Sequence, residues 1–216
     1  MDDVVESARN SVPTLKANSQ VAYQNLQARL RMVLSYYISQ MSSNALVLSA
    51  SNLDETITGH FTKYDCSSGD LNPIGSIHKS QVRSMVNYFW ETHGTDKFGI
   101  LREYDLHLIV SILCATPCAE LDSQFKSDEV ALRYLSYQDE LQMTYDKIEH
   151  MSKLRKEKNY GLSSLSKDSA QFINRYLKNR HKSTALAPTL HLSIDSVDGR
   201  RYDRRPLFYS AKLIGK

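Results

Sequence analysis

The residues best suited to chemistry in this chain are its cations, which gather in three runs. Lys153, Arg155, Lys156 and Lys158 form the first, Lys178, Arg180, His181 and Lys182 the second, and Arg200, Arg201, Arg204 and Arg205 the third. Such runs suit phosphate-bearing ligands or RNA, and equally an ordinary solvated face. The net charge of +3 is too small to argue for nucleic acid. The basic C-terminal third also lacks evident ordered aromatics for base stacking, so no nucleic-acid partner is expected. Cys66, Cys114 and Cys118 are an odd, sparse set, which argues against a disulfide framework and fits a reducing compartment. Cys114 and Cys118 lie close in sequence, but no second ligand pair has zinc spacing. Tyr64–Gly75 is rich in Asp, Ser, Gly, Asn and Pro and reads as a loop. A loop of about a dozen residues inside a compact domain is usually functional or disordered.

These residues need elements to position them. A hydrophobic content of 41% with 24% charged residues describes a globular chain rather than a disordered one. No stretch approaches the roughly 20 apolar residues of a membrane helix. Asp2, Asp3 and Glu6 open the chain without a signal-type apolar core, so the expected location is the cytosol. Residues 1–18 read as a flexible lead-in. Leu26, Leu30, Val33, Leu34, Tyr37, Ile38 and Met41 recur at helical spacing, which predicts one amphipathic helix over Gln20–Ser42, with Ser19 as its N-cap. Ala45–Leu48 is a short apolar run of the kind found in buried parallel strands. Further helices are expected over Asp54–Phe61, Lys79–Thr92, Arg102–Leu113, Asp139–Lys158 and Ser166–Lys178, with a flexible connection at Leu121–Glu129 and an irregular extension over 183–216. One strand cannot make a sheet. Either the fold is all-helical, or the remaining strands lie outside this chain.

Three stretches, in order, carry a resemblance. They are Gln24–Met32; Leu48-Ser49-Ala50-Ser51-Asn52-Leu53-Asp54-Glu55 with Gly59-His60-Phe61-Thr62-Lys63 through Gly75; and Asn179-Arg180-His181-Lys182. Together they resemble the synthetase domain of NAD synthetases, here over 19–182. Tyr64-Asp65-Cys66-Ser67-Ser68 and Asp203–Tyr209 are similar to the eukaryotic-type, glutamine-dependent branch. The resemblance implies an α/β fold of the adenine-nucleotide alpha-hydrolase kind, a Rossmann-like parallel sheet with helices, here incomplete and helix-rich. It also implies ATP-dependent amidation of deamido-NAD to NAD through an adenylate, with Mg2+ and with ammonia from glutamine. A homo-oligomer, or association with a full synthetase, is implied as well. A non-catalytic fragment or regulatory subunit is the alternative.

By the same resemblance Glu55 would hold magnesium, although a first-turn acid is also favoured by the helix dipole alone. Lys79 would contact ATP; a lysine is poorly placed at a helix start on dipole grounds, which an anionic ligand would explain. Arg29, Lys63, Asp70, His181 and Lys182 would contact deamido-NAD, each otherwise an ordinary surface charge. Two positions depart from the pattern. Ala50 and Cys118 stand at ATP-contacting positions that are usually hydroxyl-bearing, and a methyl cannot donate while a thiol donates weakly. Ser49 or Ser51 are the neighbours able to replace the first hydroxyl. The family's Ser-Gly-Gly-x-Asp-Ser turn, which cradles pyrophosphate on backbone N–H groups, has no counterpart in this sequence. The expectation is therefore a part of a longer synthetase, without the phosphate loop, the first strands of the sheet or the glutaminase domain.

Overall fold

The computed structural model describes residues 20–93, 143–157 and 167–193, with scattered positions in 3–11 and 109–114. Five helices of six residues or more are defined there: α1 (Gln20–Met41), α2 (Leu53–Thr58), α3 (Lys79–His93), α4 (Tyr145–Glu157) and α5 (Lys167–Asn179), with 3-10 turns at Cys66–Ser68 and Arg180–Ala185. Among the described residues no helix is long and apolar enough to cross a membrane. The predicted Arg102–Leu113 helix is described only at Ile109, Val110, Ser111, Leu113 and Cys114, all helical. Ser19, Cys118, Leu121–Glu129 and 194–216 lie outside the described residues.

The core joins helices distant in sequence. Ile57 of α2, Met143, Ile148 of α4 and Phe172 of α5 pack as one buried cluster, with Met151, Ile173 and Tyr176 against it. The α5 face expected from Ile173, Tyr176 and Leu177 therefore centres on Phe172, one residue earlier in the stripe. The long α1 helix buries Gln27, Ala28 and Met32, whereas Val33, Tyr37, Ile38 and Met41 remain largely exposed. Met85 and Phe89 of α3 are likewise exposed.

The predicted buried strand at Ala45–Leu48 is corrected. Val47 is buried, but Leu46 and Leu48 are 67% and 59% exposed. Among the described residues its pairing is a parallel bridge between Leu48 and Leu71, made by Ser49 N–H to Leu71 O at 2.9 Å and Asp70 N–H to Val47 O at 2.8 Å. Only one edge and one face of this segment are covered among the described residues, so its outward leucines meet solvent. A second parallel bridge pairs Asn72 with Thr189, through Asn72 N–H to Pro188 O at 2.7 Å. Three extended segments thus lie side by side, with the supposed loop residues 71–72 in the middle and the supposedly irregular 188–190 at one edge. Both were hidden by composition, since Asn72 and Thr189 are polar yet buried.

At six residues α2 is shorter than predicted. It stops because Gly59 turns left-handed at φ 67°, returning its N–H to Glu55 O. A Cβ on Gly59 would lie 2.1 Å from Asn179 Cβ. Gly59→Ala is therefore expected to destabilise the chain by at least about 2 kcal/mol, combining left-handed strain with overpacking. Urea denaturation of the two proteins measures this, and a loss below half that figure would contradict the geometry.

Candidate functional site

The start of α2 is built by Asn52 and Glu55, three residues apart. Asn52 Oδ1 accepts the Glu55 N–H at 3.1 Å. In return Glu55 Oε2 accepts the Asn52 N–H at 3.2 Å, and Oε1 accepts Asn52 Nδ2 at 2.9 Å. This reciprocal cap satisfies donors that a helix start leaves open. Burial pushes the Glu55 carboxyl up to about 7, against the lowering influence of the Lys79 charge and the Asn52 bonds, with Asp54 adding to the rise.

Asp54 faces the other way and is 1% exposed. Its Oδ2 accepts the backbone N–H of Lys79 at 2.7 Å, and its Oδ1 meets His78 Nδ1 at 2.6 Å. Asp54 is thus the anion at the start of α3, which removes the need for a ligand to explain a lysine there. The first turn of α3 is further tied by Ser80 Oγ, which donates to Glu149 Oε2 of α4 at 2.6 Å. Tyr145, at the start of α4, has its phenol pushed up by burial first and then by the charges of Glu55 and Asp54. Its hydroxyl is buried with no hydrogen-bond partner among the described residues.

The remaining expected residues sit on a second cluster around the 59–70 segment. Arg29 Nε donates to Lys63 O at 3.1 Å, and the Lys63 ammonium lies 5.1 Å from the Tyr64 ring centre. Thr62 Oγ donates to Asn25 Oδ1 at 2.5 Å, pinning the segment to α1. Asp65 stiffens the turn by accepting the Thr62 and Ser67 N–H groups. Asp70 is engaged by the chain itself, accepting Val47 N–H at 2.8 Å and Tyr36 OH at 3.1 Å. Lys182 donates to Gly59 O and Phe61 O, both at 2.8 Å, and lies 5.5 Å from the Phe61 ring centre. Burial lowers its pKa below that of an ordinary lysine. His181 Nδ1 donates to Lys178 O at 3.2 Å.

Ala50 is exposed. Of its neighbours, Ser49 is unsuited to replace a missing hydroxyl: it is buried, donates to Cys66 O at 2.7 Å and accepts Gly69 N–H at 2.9 Å. Ser51 is partly buried. The structure thus brings Glu55 and Lys79 into one electrostatic unit, and Arg29 and Lys182 onto the backbone of the segment that carries Lys63. The sequence assigns Asn52, Asp54 and Asn179 no role beyond membership of their motifs, and does not single out His78. The Asn-x-x-Glu pattern was a usable signal for Asn52; the Asp54–His78 contact spans 24 residues and left none.

A family model described as NAD synthase matches residues 1–185, and the chain belongs to that family. It is 35% identical over 219 residues to the glutamine-dependent NAD(+) synthetase of Dictyostelium discoideum, covering 89% of this chain and 28% of that one. The human glutamine-dependent NAD(+) synthetase is 34% identical over 216 residues, covering 88% and 28%. The chain therefore spans little more than a quarter of the length of these relatives. Among solved structures, a glutamine-dependent NAD(+) synthetase from Cytophaga hutchinsonii superposes with a TM-score of 0.65 at 17% identity, covering 96% of this chain and 33% of that one. The NMN synthetase from Francisella tularensis gives 0.59 at 24%, covering 83% and 60%. At these identities the superpositions establish a shared fold, of which the described residues form a helix-rich portion.

A carboxyl raised from 4.5 to about 7 keeps its proton in the folded chain across a window where the unfolded chain has lost it. Stability then falls as pH rises through that window. Glu55→Gln is expected to flatten this part of the profile, read by urea midpoints at about pH 5 and about pH 7.5. An unchanged difference between the two pH values would assign the slope to other groups.

Proposed function

We propose that this chain forms part of a synthetase that amidates the nicotinate carboxylate of deamido-NAD to give NAD. In this reading ATP activates that carboxylate as an adenylate with loss of pyrophosphate, and ammonia drawn from glutamine displaces AMP. Residues 19–182 belong to the synthetase domain, with 183–216 as an extension, in an adenine-nucleotide alpha-hydrolase-like fold whose parallel sheet is incomplete here. The sparse cysteines support a cytosolic setting, and the exposed stripes of α1 and α3 support association with a second copy or with a full synthetase.

The observation that carries the proposal is the junction of α2 and α3. There a desolvated Glu55 carboxyl is opposed by the charge of Lys79 and is still raised to about 7. The carboxylate is under-compensated, and a divalent cation with phosphate ligands suits it. Each Glu55 oxygen accepts one bond from Asn52, which leaves lone pairs for a metal. Magnesium commonly takes one or two carboxylates and completes its shell with water and phosphate. Among the described residues no group of three or more His, Cys, Asp or Glu is gathered for a metal. Bound there, magnesium would neutralise and orient the ATP phosphates. Lys79 supplies a fixed positive charge beside them, and Ala50 and Cys118 would be the further ATP contacts. Arg29, Lys63, Asp70, His181 and Lys182 hold deamido-NAD, with Lys182 also holding the turn that carries Lys63.

One observation favours a second reading, a non-catalytic partner of a full synthetase: Ala50 offers no hydroxyl, and Ser49 is already engaged on both sides. The deciding experiment supplies the chain with deamido-NAD, ATP, magnesium and ammonium, which bypasses glutamine hydrolysis. NAD formation supports the synthetase reading. Binding of both nucleotides without NAD supports the partner reading, and failure to bind either removes both. In an active protein, Glu55→Gln is expected to lower turnover by about 100-fold, the scale of losing one preorganised electrostatic group, with little change in deamido-NAD affinity. Unchanged turnover at limiting magnesium would dismiss the metal role.

A further inference from the structure

The Asp54–His78 pair lies one residue before Glu55 on one element and one residue before Lys79 on the other. Three short bonds join these stretches: Leu53 N–H to Ile77 O at 2.9 Å, Asp54 Oδ1 to His78 Nδ1 at 2.6 Å, and Lys79 N–H to Asp54 Oδ2 at 2.7 Å. Both carboxylate oxygens are engaged, and His78 is 2% exposed. His78 is fixed from its backbone too, since its N–H donates to Gln81 Oε1 at 2.8 Å. Its Nε2 is buried with no hydrogen-bond partner among the described residues. The contact that the imidazole makes with its neighbours is thus the one at Nδ1, to Asp54. An Nδ1–H donated to a buried carboxylate is a charge-assisted bond, shorter and stronger than a neutral one.

We propose that Asp54 and His78 are positioning residues that rivet the start of α3 to α2 and hold the Lys79 ammonium where it meets phosphate beside Glu55. The role rests on the proposed synthetase function. Neither residue touches the nucleotide: Asp54 acts through the Lys79 backbone, and His78 acts by fixing the Asp54 carboxylate. The carboxylate can then serve at once as the cap of α3 and as the anchor of its first residue.

The test is binding of magnesium–ATP to the full 216-residue chain, followed by titration calorimetry. Compared are His78→Ala, His78→Asn, Lys79→Ala and the His78→Ala/Lys79→Ala double variant. His78→Ala is expected to weaken ATP binding about tenfold, the scale of one lost charge-assisted hydrogen bond, with deamido-NAD affinity unchanged. Asparagine sets an amide N–H close to the place of Nδ1, so His78→Asn should restore most of the loss. On the Lys79→Ala background His78→Ala should add less than about twofold, because the group being positioned is gone. Additive losses, an equal fall in deamido-NAD affinity, or no rescue by asparagine would show a general structural role and overturn the proposal. Wild-type chain that binds deamido-NAD but no ATP would instead overturn the reading of the Glu55–Lys79 site on which it rests. Should His78→Ala fail to fold, 15N spectra of the wild-type histidines decide. Nδ1 protonated at His78 agrees with the rivet, and an unprotonated Nδ1 refutes it.

Discussion

A helix of six residues cannot persist in water on its own hydrogen bonds, because nucleation fixes several residues for the first bond gained. The α2 helix exists because both its ends are tied down. At its start Asn52 and Glu55 close on each other. At its end Asn179 Nδ2 donates to Thr58 O at 3.0 Å, and Lys182 gathers the next carbonyls. Between these clamps Ile57 enters the core with Ile148 and Phe172. The core, the α3 junction and the 59–70 segment all take their positions from this one short element.

This arrangement gives several residues two duties. Glu55 closes the cap that makes α2 possible, and its desolvated carboxyl is also the group best suited to a cation. Lys182 is a cation in a sequence run that suits phosphate, yet its ammonium is turned onto two carbonyls and a ring. Asp70 anchors Val47 to the parallel bridge. Groups committed in this way are rigid before a ligand arrives, which reduces the ordering that binding requires. A substitution at any of them would disturb shape and chemistry together.

Much of this was legible in the sequence where one physical signal dominated. The α1, α3 and α5 helices follow from apolar spacing, and their limits lie within a residue of the predicted ones. Glu55 and Lys79 were picked out by their motif and do share a junction. Position by position the reading failed where a polar residue was buried. Asn72 and Thr189 carry the middle and edge of the parallel pairing, but they read as loop because burial of a polar side chain depends on partners far along the chain. Ala45–Leu48 failed in the opposite sense: an apolar run signals burial, but two of its leucines meet solvent among the described residues. His78 had no local pattern at all, since its role is fixed by a carboxylate that only the fold brings near.

The pairing of Asn72 with Thr189 has a consequence for how the protein is made. Ser76 Oγ donates to Leu190 O across 114 residues, and Ser193 Oγ reaches the Ser76 carbonyl across 117. Ribosomes emit roughly 5–20 residues per second, so the 71–76 segment waits for many seconds before its companion leaves the exit tunnel. During that interval the middle of the parallel pairing presents open backbone groups. Unpaired backbone edges of this kind are the surface that makes a partly made chain prone to aggregation.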